Sequence, residues 1–504
     1  MWGVQRDPAQ SGGPPPPRGG LGRGFGGISG LALTRDGRTL FYQEGESVYS
    51  TSVGGGGGGR GLTGGGPAAR GISRSDTPGT APAGDAAASS AIPGRKRVEF
   101  LARVKIDKPA ERLAMFDDAW RTMKYRFYDP KMHGYDWDAI CLKYRPLVEH
   151  VGDTHELMNV INEMIGELNA SHTGATAAPE RRGTGVGGGE SSFAAGSLGF
   201  DLVPDESAGR YKVTYIYEEG PADKDWIKVS KGDYLIAIDG AAVKAGDNYW
   251  EILAHRLNRK VRLTLNSKPT DEGSWTVRLE PLSPSAYSEL SYERWVRERR
   301  EIVDKTSSGR VGYVHIKAMD QPSLRRFEKE LREYQHKEAM IIDERFNGGG
   351  NIEQELLSIL ARRPYEVWRP RGTEPTARPF EGFFGPKAVL QNWRSASNAE
   401  MFPAGFRALG LGKLVGTPTM GAVIGTGSYS LIDGSTIRTP GVGVYLADTN
   451  TTNMENGGVK PDVFVENSPE DNLAGRDRQL ETAIDLLLKQ IPQKSPVAAA
   501  SAAR

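Results

Sequence analysis

Ser397 sits in GPKAVLQNWRSASNAEMF (Gly385 to Phe402), where an apolar strand-like run stops at small and polar residues and a helix begins. A serine hydroxyl at such a strand-to-helix turn is placed for nucleophilic attack. Upstream, MIIDERFNGGG (Met340 to Gly350) ends in the same abrupt way. Its three glycines offer backbone N–H groups that could face an oxyanion. A nucleophile and an amide cradle are the two parts that acyl transfer needs most. Ser395 lies two residues before Ser397 and competes for the nucleophile's role.

A serine needs a base at neutral pH, and a carboxylate must orient that base. Six of the seven histidines, His133, His150, His155, His255, His315 and His336, fall in helix-like, strand-like or charged surface runs. His172 alone occupies a small, polar, breaker-rich stretch, NASHTG, past the end of a helix-like run. Glu455, in TTNMENGGVKPD, lies in another turn-rich loop and by itself reads as a solvated acid.

The segments that must position these residues fall into blocks. Residues 96–178 read as a strand followed by helices, a helical cap. Leu113, Phe116, Trp120, Met123 and Phe127 form one stripe at helical spacing, and Asp129-Pro130 ends it. Asp153 and Glu156 form a capping box ahead of Leu157, Ile161, Met164, Ile165 and Leu168. Residues 179–195 are a Gly/Ser-rich linker. Residues 197–283 switch to short strands and resemble a PDZ domain, a small β-barrel. In that resemblance Leu198, Gly199 and Phe200 form the loop that presents amides to a peptide carboxylate. The segment KVTYIYEEGPADKDWIKVSKGDYLIAIDG reads as strand, Gly-Pro turn, short helix, Gly-Asp turn and strand. Residues 285–490 alternate strands and helices, which predicts a mainly parallel α/β sandwich with its site beyond the carboxyl ends of the strands. Residues 491–504 read as a disordered tail. Residues 1–95 are rich in Gly, Pro, Ser and Ala, apart from an alternating stretch over 28–53 with Asp36-Gly37 at a hairpin turn, like a remnant of a propeller blade. The fold class is thus α+β and multidomain.

Composition removes several function classes. With 64 basic and 63 acidic residues, the net charge of +1 gives no electrostatic case for nucleic acid or an anionic membrane. The single cysteine, Cys141, excludes an intrachain disulfide and a thiolate metal cluster, and its helix-like setting predicts a buried core thiol. HExxH and paired cysteines are absent, and neither a Walker lysine nor GxGxxG follows NGGGN, so no metal or cofactor is expected. No apolar run approaches the roughly 20 residues of a membrane span, and the N-terminus shows no signal peptide, which points to the cytoplasm.

ELNASHTG, the PDZ-like segment, DERFNGGGN, NWRSASNAEMF, LGLGKLVGTPTMG and NMENGGVKPDV occur in the order found in tricorn proteases, relatives of the tail-specific serine proteases. The resemblance covers roughly residues 96–490. It implies a serine peptidase acting on unfolded or short peptides, and a homo-oligomer, hexameric in that family. Carried over by motif, Ser397 matches the nucleophile, His172 the general base, and Ser171 and Glu455 the remaining members of a Ser-His-Ser-Glu tetrad. The N–H groups of Asn398 and Gly349 match the oxyanion donors. Two departures stand out. The family carries Asp-Gly after the nucleophile, whereas Asn398-Ala399 follows here and removes a negative charge, so a preference for basic P1 residues loses its basis. The family also has two propellers before the cap. A Ser-Lys dyad is a further alternative, but the position 25 residues beyond the serine is Ala422. A catalytically degenerate, PDZ-containing peptide-binding protein is the other.

Overall fold

A computed structural model describes residues 28–44, 47–53, 95–98, 105–179, 195–372, 375–449 and 451–491. Most of the Gly/Pro-rich stretches, residues 180–194 of the linker and the tail beyond residue 491 lie outside the described residues. The chain divides into two compact units, Met1–Ile106 and Asp107–Arg504.

In the first unit, strands Ile28–Leu33, Thr39–Glu44, Ser47–Ser52 and Lys96–Arg97 form one antiparallel sheet in that order. The expected hairpin is therefore the start of a four-stranded sheet. Its last strand, assigned from sequence to the cap, pairs instead with Tyr49 and Ser50. Gly37, at φ 68°, permits the first turn. Tyr42 stacks on Tyr49, and the Arg95 guanidinium lies over Tyr49 at 3.8 Å.

The second unit opens with the cap. Helix Lys108–Arg126 starts at Asp107, whose side chain accepts from Ala110 N–H, and buries Met115, Phe116, Ala119 and Met123. Helix Thr154–Gly166 starts at Asp153 and buries Leu157, Ile161, Met164 and Ile165. Glu156 reaches back to the N–H of Gly152 rather than of Asp153, so the capping box is displaced by one residue. Cys141 is buried in this core. The next block is an antiparallel sheet over Phe200–Asp205, Arg210–Ile216, Tyr234–Ile238, Val261–Asn266 and Trp275–Leu279, with Ala241–Ala242 on Tyr234–Ile238. A bridge between Ser197 and Leu282 joins its two edges at one point. The short helix expected after the Gly-Pro turn is absent: residues 218–229 form turns, and the helix of this block is Tyr249–Leu253.

The remaining block is built on five parallel strands in the order Val311–His315, Ala339–Asp343, Lys387–Gln391, Lys413–Gly416 and Val463–Phe464. Val311–His315, Ala339–Asp343 and Lys387–Gln391 are buried along their whole length and are mostly apolar, as strands of a covered parallel sheet are. Helices Gln321–Glu333, Glu353–Leu360 and Asn398–Ala408 contribute to the core that includes Met340, Ile342 and Val389. The 24-residue helix Pro284–Ser307 and helix Arg478–Gln490 cover the core around Ile341, Ala388 and Leu390. Ile491, read from sequence as tail, is buried in that second core.

A third antiparallel sheet was not legible in the sequence. Ile424–Ser430 pairs with Thr436–Gly443, which pairs in turn with Gly174–Thr176 of the cap. Through Thr436–Gly443 it ties the segment just after His172 to the segment just after Ala422.

Beneath the 284–307 helix, Arg345 is almost wholly buried and donates to both carboxylates of Asp343 and Asp477, at 2.6–3.1 Å, and to Gln479 Oε1. Burial alone raises the pKa of Asp477, but Arg345 holds it down to about 2. That is below the ~3.9 of an unfolded aspartate, so this stability is complete above about pH 4 and is lost as pH falls toward 2. Arg345→Met would strand two buried carboxylates and should destabilise the fold by about 3–5 kcal/mol in urea unfolding. Asp477→Asn should flatten the fall in stability between pH 4 and 2.

Candidate active site

The strand Lys387–Gln391 runs into a tight turn, Asn392–Ser397, and then into helix Asn398–Ala408. Ser397 occupies the turn's last position with φ 58° and ψ −121°. Such a backbone costs a non-glycine residue of order 1–3 kcal/mol and must be held from outside. Glu400, fully buried one turn later, does the holding. It accepts from Ser397 N–H at 3.2 Å, Ala422 N–H at 2.8 Å, Gly421 N–H at 2.7 Å and Thr419 Oγ1 at 2.6 Å. Burial nevertheless raises the pKa of Glu400. The Ser397 N–H also donates to Ala422 O at 3.0 Å. The sequence reading passed over Glu400, although a Glu three residues after a serine at a helix start is the capping pattern.

Ser171, His172, Ser397 and Glu455 come together from three distant segments. His172 Nε2 lies 3.1 Å from Ser397 Oγ, and His172 Nδ1 lies 2.8 Å from Ser171 Oγ. Ser171 Oγ donates to Glu455 Oε2 at 2.9 Å, and Ser171 N–H donates to Glu455 Oε1 at 2.6 Å. Val423 N–H donates to Glu455 Oε2 at 2.8 Å, so the carboxylate is buried but saturated with donors. His172 itself has φ 56°. Its pKa lies below 6.5, chiefly because it is half-buried and next because Arg438 faces it, while Glu455 pulls it up. The imidazole is thus neutral at pH 7, as a base must be.

Ser395 points elsewhere. It is fully buried, donates to Glu344 O at 3.2 Å and accepts from Asn392 N–H at 3.2 Å. Ala422 is a neighbour of the nucleophile, and no lysine replaces it. Lys387, the buried lysine of this strand, sits at the strand's opposite end and donates to Phe383 O and Gly385 O.

Gly349 packs directly on the nucleophile's turn. At φ 99°, a Cβ there would stand 2.7 Å from Ser397 Cβ and 2.8 Å from Ala396 O. Its N–H donates to Asn347 Oδ1 at 2.9 Å. The N–H of Asn398 opens helix Asn398–Ala408. The Asn398 side chain is buried and turned away from Ser397: Oδ1 accepts from Ile352 N–H and Glu353 N–H, and Nδ2 donates to the Glu353 carboxylate. Beyond it lies a cavity of about 430 Å³, lined by Leu357, Met401, Val444 and Leu446, with Glu353 and Asp448.

The Leu198-Gly199-Phe200 loop is buried and far in sequence from these residues. Gly199 N–H donates to Ser197 Oγ at 3.3 Å, and a Cβ at Gly199 would stand 2.6 Å from Pro221 Cδ. Among the described residues no group of His, Cys, Asp and Glu could hold a metal ion. No helix among them is long and apolar enough to cross a membrane.

A parallel sheet with a strained serine at a strand end, a histidine on its hydroxyl and a buried carboxylate behind is the layout of a serine hydrolase. Residues 310–465 match peptidase family S41, and residues 108–166 and 196–283 match the tricorn protease C1 and PDZ domains. The chain is a homologue of the tricorn proteases. It is 34% identical over 411 residues to tricorn protease homolog 1 of Streptomyces coelicolor, covering 79% of this chain and 37% of that protein. It is 32% identical over 416 residues to a tricorn protease homolog of Saccharolobus solfataricus, with the same coverage of both chains. A crystal structure of the tricorn protease superposes with TM-score 0.69 at 25% identity, over 92% of this chain and 41% of that one. The chain thus spans little more than a third of the curated relatives' length.

Two measurements follow from this geometry. In an NMR titration His172 should titrate below 6.5, and Arg438→Gln should move its pKa up, because a facing positive charge disfavours the imidazolium. Gly349→Ala should cut the rate of fluorophosphonate labelling at Ser397 by about 10²-fold, the usual scale of a disturbed oxyanion site.

Proposed function

We propose that this chain is a serine peptidase that cleaves peptide bonds in short peptides or unfolded segments through a Ser397-His172-Ser171-Glu455 tetrad. The observation that carries the reading is the unbroken path Ser397 Oγ to His172, His172 to Ser171 Oγ, and Ser171 Oγ to Glu455, with every step between 2.8 and 3.1 Å.

In this mechanism His172 holds its proton on Nδ1, donated to Ser171 Oγ, and presents a bare Nε2 to the Ser397 hydroxyl. Ser397 Oγ attacks the scissile carbonyl carbon as its proton passes to Nε2. The imidazolium that forms is stabilised through the Ser171 hydroxyl by the Glu455 charge. The carbonyl oxygen becomes an oxyanion, received by the N–H groups of Asn398 and Gly349, the latter exchanging Asn347 Oδ1 for the substrate. His172 then gives its proton to the leaving amine, and water repeats the sequence on the acyl-enzyme. The cavity beyond Asn398 takes a substrate side chain, and its mainly apolar wall favours long apolar stems. Asn398 contributes its backbone amide and not its side chain, so charge at position 398 does not set P1 preference. A homo-oligomer belongs to the same reading.

Ser397→Ala should abolish both fluorophosphonate labelling and hydrolysis of a fluorogenic peptide, and His172→Ala should lose as much, since tetrad members act as a unit. Ser395→Ala should lower thermal stability while leaving a labelled Ser397. Wild-type protein that takes no label would leave the binding-only alternative standing.

A further inference from the structure

His133 reads from sequence as part of a surface run, yet the fold aims it inward. Met132, His133 and Gly134 adopt successive left-handed backbones, at φ 51°, 55° and 86°. Non-glycine residues seldom do so, and such strain gathers where a side chain must be held in one place. Asp129 clamps the turn by accepting from the N–H groups of Lys131 and His133, each at 3.0 Å. The His133 ring then meets the ring of Tyr128 edge-on.

From this imidazole a line of hydrogen bonds runs to the tetrad, and its direction is fixed at both ends by the backbone. Glu455 N–H can only donate, and it donates to Asn453 Oδ1 at 3.0 Å. Asn453 Nδ2 donates to Tyr128 Oη at 2.7 Å. The Tyr128 hydroxyl therefore turns its proton to His133 Nε2, at 2.5 Å. His133 Nδ1–H donates to Leu168 O at 2.8 Å, where the carbonyl can only accept. Leu168 lies three residues before Ser171.

We propose that Tyr128 and His133 are positioning residues for the tetrad, fixing Glu455 from one side and the Ser171–His172 loop from the other. One imidazole thus sets both partners of the Ser171–Glu455 contact. A cavity of about 650 Å³, with Lys131, Tyr135, Asn169 and Tyr445 in its wall, lies against the line. Tyr128 packs on Phe127 and the cap core on one side and borders this cavity on the other, so its two hydrogen bonds set where its hydroxyl points. The inference rests on the tetrad reading above.

The test uses the full chain, a fluorophosphonate probe and a fluorogenic peptide. Tyr128→Phe keeps the ring and removes the hydroxyl. It should lower kcat and the labelling rate at Ser397 by about tenfold, the rate equivalent of one ordinary hydrogen bond, with KM and the labelled end-point unchanged. His133→Leu should lose as much, and His133→Gln, which can still accept and donate, should recover most of it. The double variant Tyr128→Phe/His133→Leu should be no worse than either single one, because both cut the same line. If Tyr128→Phe does not fold, the His133→Leu and His133→Gln pair carries the same comparison. Wild-type kcat in the folded variants, or a loss matched by a lower labelled end-point, overturns the relay while leaving the tetrad intact. A wild-type chain that never labels at Ser397 overturns both.

Discussion

The Glu455 carboxylate is the point on which the cap and the parallel sheet depend together. It is buried, and a buried carboxylate persists only where donors replace the water it has lost. Here they come from both sides: Ser171 supplies its N–H and hydroxyl from the cap, and Val423 supplies its N–H from the segment that follows the nucleophile's turn. The antiparallel sheet of 424–430, 436–443 and 174–176 continues the same junction outward. With that sheet, this anchor holds His172 and Ser397, 225 residues apart, in a common frame.

Glu400 plays the matching part for the nucleophile. Burial pushes its pKa up, while its four donors pull it down. Those donors lie on the 397 turn and the 419–422 loop, so one side chain locks the strained serine to the neighbouring strand end. Close by, Glu344 is wholly buried, and burial raises its pKa well above the usual range. The strand end therefore supports the site through shape and hydrogen bonds, while the strongly charged cluster of Arg345, Asp343 and Asp477 lies against the opposite helix layer.

The Asn398 side chain has a structural role apart from its backbone amide. The backbone amide stays at the turn, whatever the side chain. The side chain caps helix Glu353–Leu360 by accepting from its first N–H groups, a task that a neutral amide shares with Glu353 through its own donor. A carboxylate at this position would face Glu353 without that donor.

Much of the 285–490 block is legible in the sequence. Apolar runs such as AMIID and KAVLQ predict buried parallel strands, because a strand covered by helices on both faces has no polar side. Their abrupt ends at NGGG and SAS mark where a site belongs, and the motif order names His172, Ser171 and Glu455. Helix stripes and caps around Phe116 and Asp153 were readable from spacing alone. What sequence could not supply was anything decided by contact across the chain. The contact of His133 with Leu168, the burial of Glu400 and Glu344, and the pairing of 174–176 with 436–438 all depend on partners tens to hundreds of residues away. Periodicity records which face of an element is buried; it does not record what is buried against it. The sequence thus determined the elements and the list of reactive groups. The tertiary structure decided their distances, their protonation and which backbone amides remain available, since those follow from desolvation and hydrogen-bond geometry set by non-local packing.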